Sequence, residues 1–282
     1  MAERIDSLLD AASQRLQPFS DSARLDAEIL LAHVLEKNRS FLRAWPEQIL
    51  STLQQQQFQT LINQRQQGQP IAYLTGEREF WSRAFKVSPA VLIPRPDTER
   101  VIELALALLA EQTNPRLIDL GTGSGSIAIT LAKELPHSHV TASDISPAAL
   151  EIARANAQRH AATNLTLIHS DWFAAIPQTE FDLIISNPPY IANDDPHLDQ
   201  GDLRFEPKTA LISADQGLQD IRTLADQARH YLKPGAYLLL EHGYQQQEPV
   251  QAILLACNYQ SVATHCDLGG NPRVTLAQWN PL

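Results

Sequence analysis

Residues 116–135 read RLIDLGTGSGSIAITLAKEL. Arg116–Leu120 is a short apolar run interrupted by one acid, which suits a buried strand. Glycines at 121, 123 and 125 follow, with Thr122 and Ser124 between them, and then apolar residues return at helical spacing. Strand, glycine turn and helix therefore sit in direct succession. Glycine lets the backbone approach a ligand closely, and the start of the following helix offers unpaired N–H groups. This βα turn decides the fold class, because the pattern on either side of it repeats the same alternation.

Downstream, HVTASDIS reads as a strand and SPAALEIARANAQRH as a helix, with Ser146 as N-cap and Pro147 at the first helical position. NLTLIHSD and FDLIIS are strands. A long polar loop over 191–216 precedes the helix GLQDIRTLADQARHYL. GAYLLLEHG is a strand and QEPVQAILLACN a helix. QSVATHCDL and PRVTLAQWN, joined at GGN, form an antiparallel pair at the sheet edge. Buried strands alternating with helices specify a doubly wound α/β sheet. Seven strands with a terminal hairpin resemble the Rossmann-like fold of S-adenosylmethionine-dependent (class I) methyltransferases.

The first part of the chain is helical. Ile5, Leu8, Leu9, Ala12 and Leu16 recur on one helical face. A second helix follows Ser20 or Ser22 as N-cap, with Leu25, Ile29, Leu30 and Val34 as its predicted apolar face. A third runs on from Pro46 to Gly68, with the glutamines at 54–57 on a solvated face. Aromatic and β-branched residues predict a hairpin near 77–93, and an acidic first turn opens the helix ERVIELALALL. The expected organisation is a small helical N-terminal domain at 1–74, a β-hairpin connector at 75–95 and a methyltransferase-like domain at 96–282.

Composition narrows the function classes. The chain has 282 residues, 44% of them hydrophobic, enough for a sizeable core. No apolar run has the length of a bilayer span, and the first residues lack the apolar centre of a secretory leader. Cys257 and Cys266, the only cysteines, offer no zinc spacing; with no export signal they read as reduced thiols in a cytoplasmic protein. The net charge is −10, and residues 1–86 hold ten charges of each sign, so the whole excess lies further on. That sign opposes affinity built on neutralising nucleic-acid phosphates.

Asp144 ends the strand after the glycine turn, 19 residues beyond Gly125, where a carboxylate can accept both ribose hydroxyls of an adenosine. The dinucleotide pattern G-x-G-x-x-G fails, since Ser126 stands at its third glycine. Asp119, just before the turn, can organise the loop or answer the charged amino-acid end of a cofactor. In HSDWF, Asp171 can accept from an exocyclic amino group and Trp172 can cover a flat base. SNPPY closes the strand FDLIIS. The Asn187 side-chain oxygen and the Pro188 carbonyl are two acceptors side by side, suited to a planar NH2 group, with Pro189 stiffening the turn and Tyr190 able to pack on a flat substrate.

Together these motifs resemble amino-methyltransferases that act on planar nitrogens. Over nearly the whole chain, PIAYLTG, IPRPDTE, DLGTGSGSIA, SNPPYI, LRFEPKTALISADQGL and LLLEHGYQQ resemble the family of protein glutamine methyltransferases that modify peptide chain release factors. The resemblance implies S-adenosyl-L-methionine as cofactor, S-adenosyl-L-homocysteine as product, and as substrate the glutamine of the Gly-Gly-Gln motif in class I release factors. It also implies that the helical domain helps to dock the release factor. It maps Gly121–Gly125, Asp144, Trp172 and Asn187 onto cofactor contacts and Asn187–Tyr190 onto the glutamine, with Asn187 and Pro188 carrying the chemistry. SADQGL at 213–218 departs from the family's usual Gly-Gly-x-Asp-Gly-Leu. Two other classes compete: a nucleic-acid methyltransferase acting on adenine or guanine, and a non-catalytic cofactor-binding module. No membrane, metal or direct nucleic-acid partner is expected. Asp194, Asp195, His197, Asp199 and Asp202 read as a solvated acidic loop, and His242 as a structural strand-end histidine. Arg95, Asp97, Thr98 and Glu99 are balanced between lining a site and capping a helix.

Overall fold

The structure, a computed structural model, describes residues 3–281; the outermost residues of the two expected domains, 1, 2 and 282, lie outside the described residues. The chain divides into two units. One runs through Glu77 and takes in His197–Phe205; the other comprises Arg78–Pro196 and the chain from Glu206 onward.

The first unit contains α1 (Ile5–Leu16), α2 (Ala23–Leu35), α3 (Arg39–Ala44), α4 (Thr52–Gln66) and α5 (Ile71–Thr75). The five apolar residues predicted for α1 are its five buried ones. In α2, Leu30 is buried as predicted, but it shares the buried face with Ala27, Leu31 and Leu35, while Leu25 is 38% exposed. The buried face is therefore rotated from the predicted one about Leu30. Ser22 stands at the N-cap position of α2, one of the two expected, but its side chain makes no capping bond; the hydroxyls of Ser20 and Ser22 donate to the buried Asp26 (2.8 and 2.9 Å), which Arg65 also reaches at 2.8 Å. α4 begins later than expected, because Ser51 and Gln54 form a reciprocal capping box there. Gln56 and Gln57 are exposed, whereas Gln55 donates to Leu50 O at 3.0 Å. Residues 197–205 join this unit through Arg65–Asp202 (3.6 Å) and the packing of Arg204 and Phe205 against Gly68. The sequence had left them in the polar loop of the later domain.

A two-stranded sheet, β1 (Glu77–Phe80) and β2 (Arg83–Lys86), follows α5 in chain order. It is shorter than the predicted hairpin, and no strand covers 87–93. Trp81 and Ser82 connect its strands with φ of 50° and 56°, the left-handed pair of a two-residue hairpin turn.

The second unit continues with α6 (Glu99–Leu109), β3 (Arg116–Leu120), α7 (Ser126–Glu134), β4 (His139–Asp144), α8 (Pro147–Arg159), β5 (Leu165–His169), β6 (Phe181–Ser186), α9 (Ala214–Gly217), α10 (Gln219–Ala228), β7 (Leu232–Glu241), α11 (Gln247–Ala256), β8 (Gln260–Cys266) and β9 (Pro272–Gln278). Its sheet has seven strands in the order β5-β4-β3-β6-β7-β9-β8. The first five are parallel; β9 is antiparallel to both β7 and β8, as the terminal hairpin required. Strand alternation assigns the two faces. Leu117, Leu183 and Ile185 pack with α6 and α7, while Ile118, Ile184, Leu238 and Leu240 pack with α10 and α11. Both faces are covered, so the strands read as continuous apolar runs.

The chain leaves β3 toward β4 on one side, while β6 lies on the other side. The carboxyl ends of β3, β4 and β6 are thus adjacent, with Leu120 in register with Ser143 and with Ser186. A crevice opens at this reversal of strand order. It is there that the glycine turn, Asp144 and SNPPY meet.

Candidate functional site

The turn Gly121–Gly125 is held from below and from both flanks. Gly121 and Thr122 donate their N–H groups to Ser143 O, each at 2.9 Å, which ties the turn to the end of β4. Beneath it, Asp119 accepts from Thr122 Oγ1 at 2.6 Å. At its far end Gly125 has φ +82°, and a Cβ there would lie 2.8 Å from Ile129 Cδ1 and 3.3 Å from Ala153 Cβ. Glycine is required at this point by conformation and by the packing of α7 and α8 together. Asn156 completes the support: buried, it donates to Ser124 O (2.8 Å) and Lys86 O (3.0 Å) and accepts from Lys86 N (2.7 Å). Nothing in the local sequence marks Asn156, which sits mid-helix and acts across 70 residues of chain.

Asp144 accepts from Gly123 N at 2.8 Å on one oxygen and from Ser146 N at 2.9 Å on the other. Ser146 caps α8 through Ala149 N (3.2 Å), as its position before Pro147 predicted. Burial pushes the pKa of Asp144 upward, against the pull of its backbone hydrogen bonds. Asp119 is more extreme. Burial raises it to about 7, the Thr122 bond opposes that, and the charge of Asp144 adds to it. Its second oxygen, Oδ1, is buried without a hydrogen-bond partner.

Asn187 and Pro188 follow β6. Asn187 Nδ2 donates to Thr98 Oγ1 at 3.4 Å, which turns the amide oxygen away from Thr98. The Tyr190 hydroxyl donates to Glu241 Oε1 at 3.4 Å, and Tyr190 O accepts from Gln246 Nε2 at 3.0 Å. Thr98 makes no capping bond to α6, so its hydroxyl serves the site and not the helix. Asp97 pairs with Arg273 at 3.4 Å, Arg95 with Glu206 at 2.6 Å, and Glu99 accepts from Trp81 N at 2.9 Å. The four residues left open by the sequence thus divide: Arg95 and Thr98 line the crevice, and Asp97 and Glu99 brace its neighbours.

These elements enclose a cavity of about 350 Å³. Of the expected site residues, Gly121, Thr122, Gly123, Ser124, Asp144, Asp171, Trp172, Asn187 and Pro189 form its wall. Asp119, Gly125, Pro188 and Tyr190 are not among the residues that line it. Trp172 is half-buried with φ 43°, held by Ser170 Oγ donating to Trp172 O (2.8 Å), and its ring faces Gly121. The sequence reading passed over Ile145, 58% exposed beside Asp144, although an exposed large apolar residue directly after a strand-end acid was a usable signal. It also passed over Pro207, Thr209, Ala210 and Ile212, which come from the polar loop.

The donor set fits S-adenosylmethionine. Asp144 keeps lone pairs free for two hydroxyls, Trp172 and Ile145 offer flat apolar cover for a base with Asp171 at the rim, and the orphaned oxygen of Asp119 lies beneath the turn where a cationic amino acid would be answered. His242 plays the structural part expected of it. It is fully buried, its ring spans Gly243 O (2.9 Å) and Thr275 Oγ1 (2.8 Å), and burial holds its pKa down. Among the described residues the acidic loop forms no group with the makings of a metal site, no helix is long and apolar enough to cross a membrane, and both cysteines are free thiols.

Comparison with known proteins supplies the rest. Residues 7–76 match the family described as the PrmC N-terminal domain, and residues 100–202 match the methyltransferase small domain. Release factor glutamine methyltransferase of Vibrio cholerae is 50% identical over 281 residues, covering 99% of this chain and 98% of that protein. Its counterparts in Escherichia coli (50%, 92% of this chain and 94% of that protein) and Pseudomonas aeruginosa (48%, 93% and 95%) are similar throughout. Among solved structures, a methyltransferase from Pyrococcus furiosus superimposes with a TM-score of 0.54 at 19% identity over 79% of this chain and 98% of that one. The catalytic domain of hMettl16, in complex with MAT2A 3'UTR hairpin 1, does so at 0.57 and 15% over 88% and 90%. At such identities these two speak for the fold alone, a class I methyltransferase sheet. With half of its residues shared along almost the full length of the bacterial proteins, the chain belongs to the release factor glutamine methyltransferase family.

Proposed function

We propose that this protein transfers the methyl group of S-adenosylmethionine to the side-chain amide nitrogen of the glutamine in the Gly-Gly-Gln motif of class I peptide chain release factors. The observation that carries the proposal is the placement of Asn187, with its amide oxygen turned away from Thr98, at the end of the strand beside the glycine turn. When bound, the cofactor supplies an electrophilic methyl group and departs as S-adenosylhomocysteine.

The chain's own task is to position a poor nucleophile. An amide nitrogen is weak because its lone pair is delocalised into the carbonyl. Asn187 Oδ1 and the Pro188 carbonyl accept its two hydrogens, hold the NH2 plane and stabilise the positive charge that develops on nitrogen. Pro188 and Pro189 keep those acceptors rigid, and the ring of Tyr190 packs on the flat substrate. The cofactor is held by Gly121, Thr122, Gly123, Ser124 and Gly125 at the turn, by Asp144 at the ribose, by Asp171 and Trp172 at the base, and by Asp119 at the amino-acid end. No strong base is needed, since the methylated nitrogen is acidic enough to release its proton to solvent.

Residues 1–74 dock the release factor, 75–95 connect, and 96–282 carry the chemistry. The excess of negative charge beyond residue 86 supports a protein acceptor over a nucleic acid. Free thiols at Cys257 and Cys266 suit the cytoplasm, where release factors work. Incubation with methyl-labelled cofactor, purified release factors and nucleic acid, read by mass spectrometry, tests the proposal. Label on the glutamine amide is the expected result, and label on adenine or guanine alone overturns it.

A further inference from the structure

Gln246 stands at the N-cap position of α11, yet its side chain makes no capping bond to that helix. Ser, Thr, Asp or Asn would serve the helix better there. The amide is spent instead on three backbone groups. Its Oε1 accepts from Gly243 N at 2.9 Å, just after β7. Its Nε2 donates to Tyr190 O at 3.0 Å and to Gln216 O at 3.3 Å. The amide can face only this way, because a backbone N–H donates and a backbone carbonyl accepts. The segment that supplies Gln216 is shaped to fit. Asp215, Gln216 and Gly217 are all left-handed, with φ of 52°, 56° and 85°. Such backbone is costly for the first two and persists where its surroundings demand it. A Cβ on Gly217 would strike Tyr190 O and lie 2.8 Å from Gln246 Nε2, so any side chain there would wedge the pair apart. SADQGL departs from the family pattern at 213, 214 and 216, but Gly217 is glycine in both. At 216 only the carbonyl is used, which any residue supplies.

Both ends of SNPPY are thus anchored. At the start, Ser186 pairs with Leu120 in the sheet and its hydroxyl donates to Leu120 O at 2.7 Å. At the end, Gln246 holds Tyr190 O, and Ile191 is sewn to the next segment, its N–H donating to Leu211 O (2.9 Å) and its carbonyl accepting from Ser213 N (3.0 Å). Between the anchors, the rings of Pro188 and Pro189 fix φ and restrict the residue before each proline. Few torsions remain, so the direction of the Pro188 carbonyl follows from where the two ends are held. We infer that Gln246 is a positioning residue for methyl transfer: with Gly217 beneath it, Gln246 clamps the Tyr190 carbonyl and so aims the Pro188 carbonyl at the acceptor NH2 group. The inference rests on the proposed role of Asn187 and Pro188 as acceptors. Gln246 is not among the residues that line the cavity, so it acts through the turn.

Gln246→Ala removes the bonds, whereas Gln246→Glu keeps the shape and sets a carboxylate oxygen against two carbonyl oxygens. A carboxylate at the start of α11 favours the helix, so a role in filling space or supporting the helix ranks Glu above Ala. The clamp ranks them the other way. With methyl-labelled cofactor and a purified class I release factor at alkaline pH, kcat should fall about tenfold in Gln246→Ala and further in Gln246→Glu. Cofactor Kd and release-factor KM should stay within about twofold of the native values. Gly217→Ala, which wedges the same pair, should lower kcat to a similar degree. Wild-type kcat in Gln246→Glu or Gly217→Ala, a Glu variant faster than the Ala variant, or cofactor affinity lost in step with kcat overturns the inference. Asn187→Ala run alongside separates the two levels. If it retains turnover, the reading of the acceptors falls and the clamp with it; if it is inactive while Gln246→Glu is normal, only the clamp falls.

Discussion

Replacing Asp119 by Asn should make the protein more stable, and increasingly so as pH rises. Burial takes this carboxyl from 3.8 to about 7. At about 1.4 kcal/mol per pKa unit, ionising it in the folded chain costs about 4 kcal/mol more than in the unfolded chain. Below 3.8 the group is protonated in both states and there is no penalty. Between that value and about 7 the unfolded chain sheds the proton while the folded chain keeps it, so stability falls with pH through this window and levels off above it. Asn carries no such penalty. Its NH2 can occupy the place of the partnerless Oδ1, at a desolvation cost that does not vary with pH, while its oxygen keeps the Thr122 bond. The absolute difference between the two proteins mixes both effects, but its pH dependence isolates the carboxyl. Between pH 5.5 and pH 8 the advantage of Asp119→Asn should grow by about 2 kcal/mol. Urea unfolding of both proteins without cofactor, followed by tryptophan fluorescence and circular dichroism and fitted with separate transitions for the two units, measures it. A difference that stays flat or shrinks as pH rises refutes the burial argument. The same variant should bind cofactor more weakly, which marks Asp119 as a place where stability is given up for function.

Asn187→Ala should lower kcat at least a hundredfold while cofactor Kd, from calorimetry, rises only a few-fold; equal losses in both would remove Asn187 from the acceptor role. Asn156→Ala strands Lys86 N, Lys86 O and Ser124 O and should destabilise by about 2–4 kcal/mol in denaturant melts. A change below about 1 kcal/mol would show that water replaces all three bonds. Gly125→Ala forces a left-handed residue and a methyl group against Ile129, and should cost about 1–3 kcal/mol together with measurable cofactor affinity. Unchanged stability and Kd would mean that α7 can shift freely.

Much of this architecture is visible in the order of residues. The alternation of apolar runs and helical stripes from Arg116 onward is periodic, and periodicity needs no tertiary information. The α1 stripe and the Ser146–Pro147 helix start were legible for the same reason. Readings failed where a competing partner took over a group. Ser22 holds the expected N-cap position, but a buried Asp26 takes its hydroxyl and that of Ser20. The predicted α2 face held at Leu30 but missed Ala27, Leu31 and Leu35, which are buried beside it. α3 and α5 were too short for a periodic signal.

At the site the same division holds. The sequence alone determined the chemistry on offer: a glycine turn flanked by acids, and two acceptors fixed side by side by prolines. These are properties of neighbouring residues, which the covalent chain holds together in any fold. Only the tertiary structure decided what those groups face. It placed β3 between β4 and β6, so that Asp144 and Asn187 border one cavity. It buried Asp119 and Glu241, giving two ordinary carboxyls pKa values near neutrality. It also brought Thr98, Asn156 and Glu241 to bear on the motifs across long stretches of chain. Hydrogen bonding and desolvation act through space, and no pattern along the sequence records which distant groups will share that space.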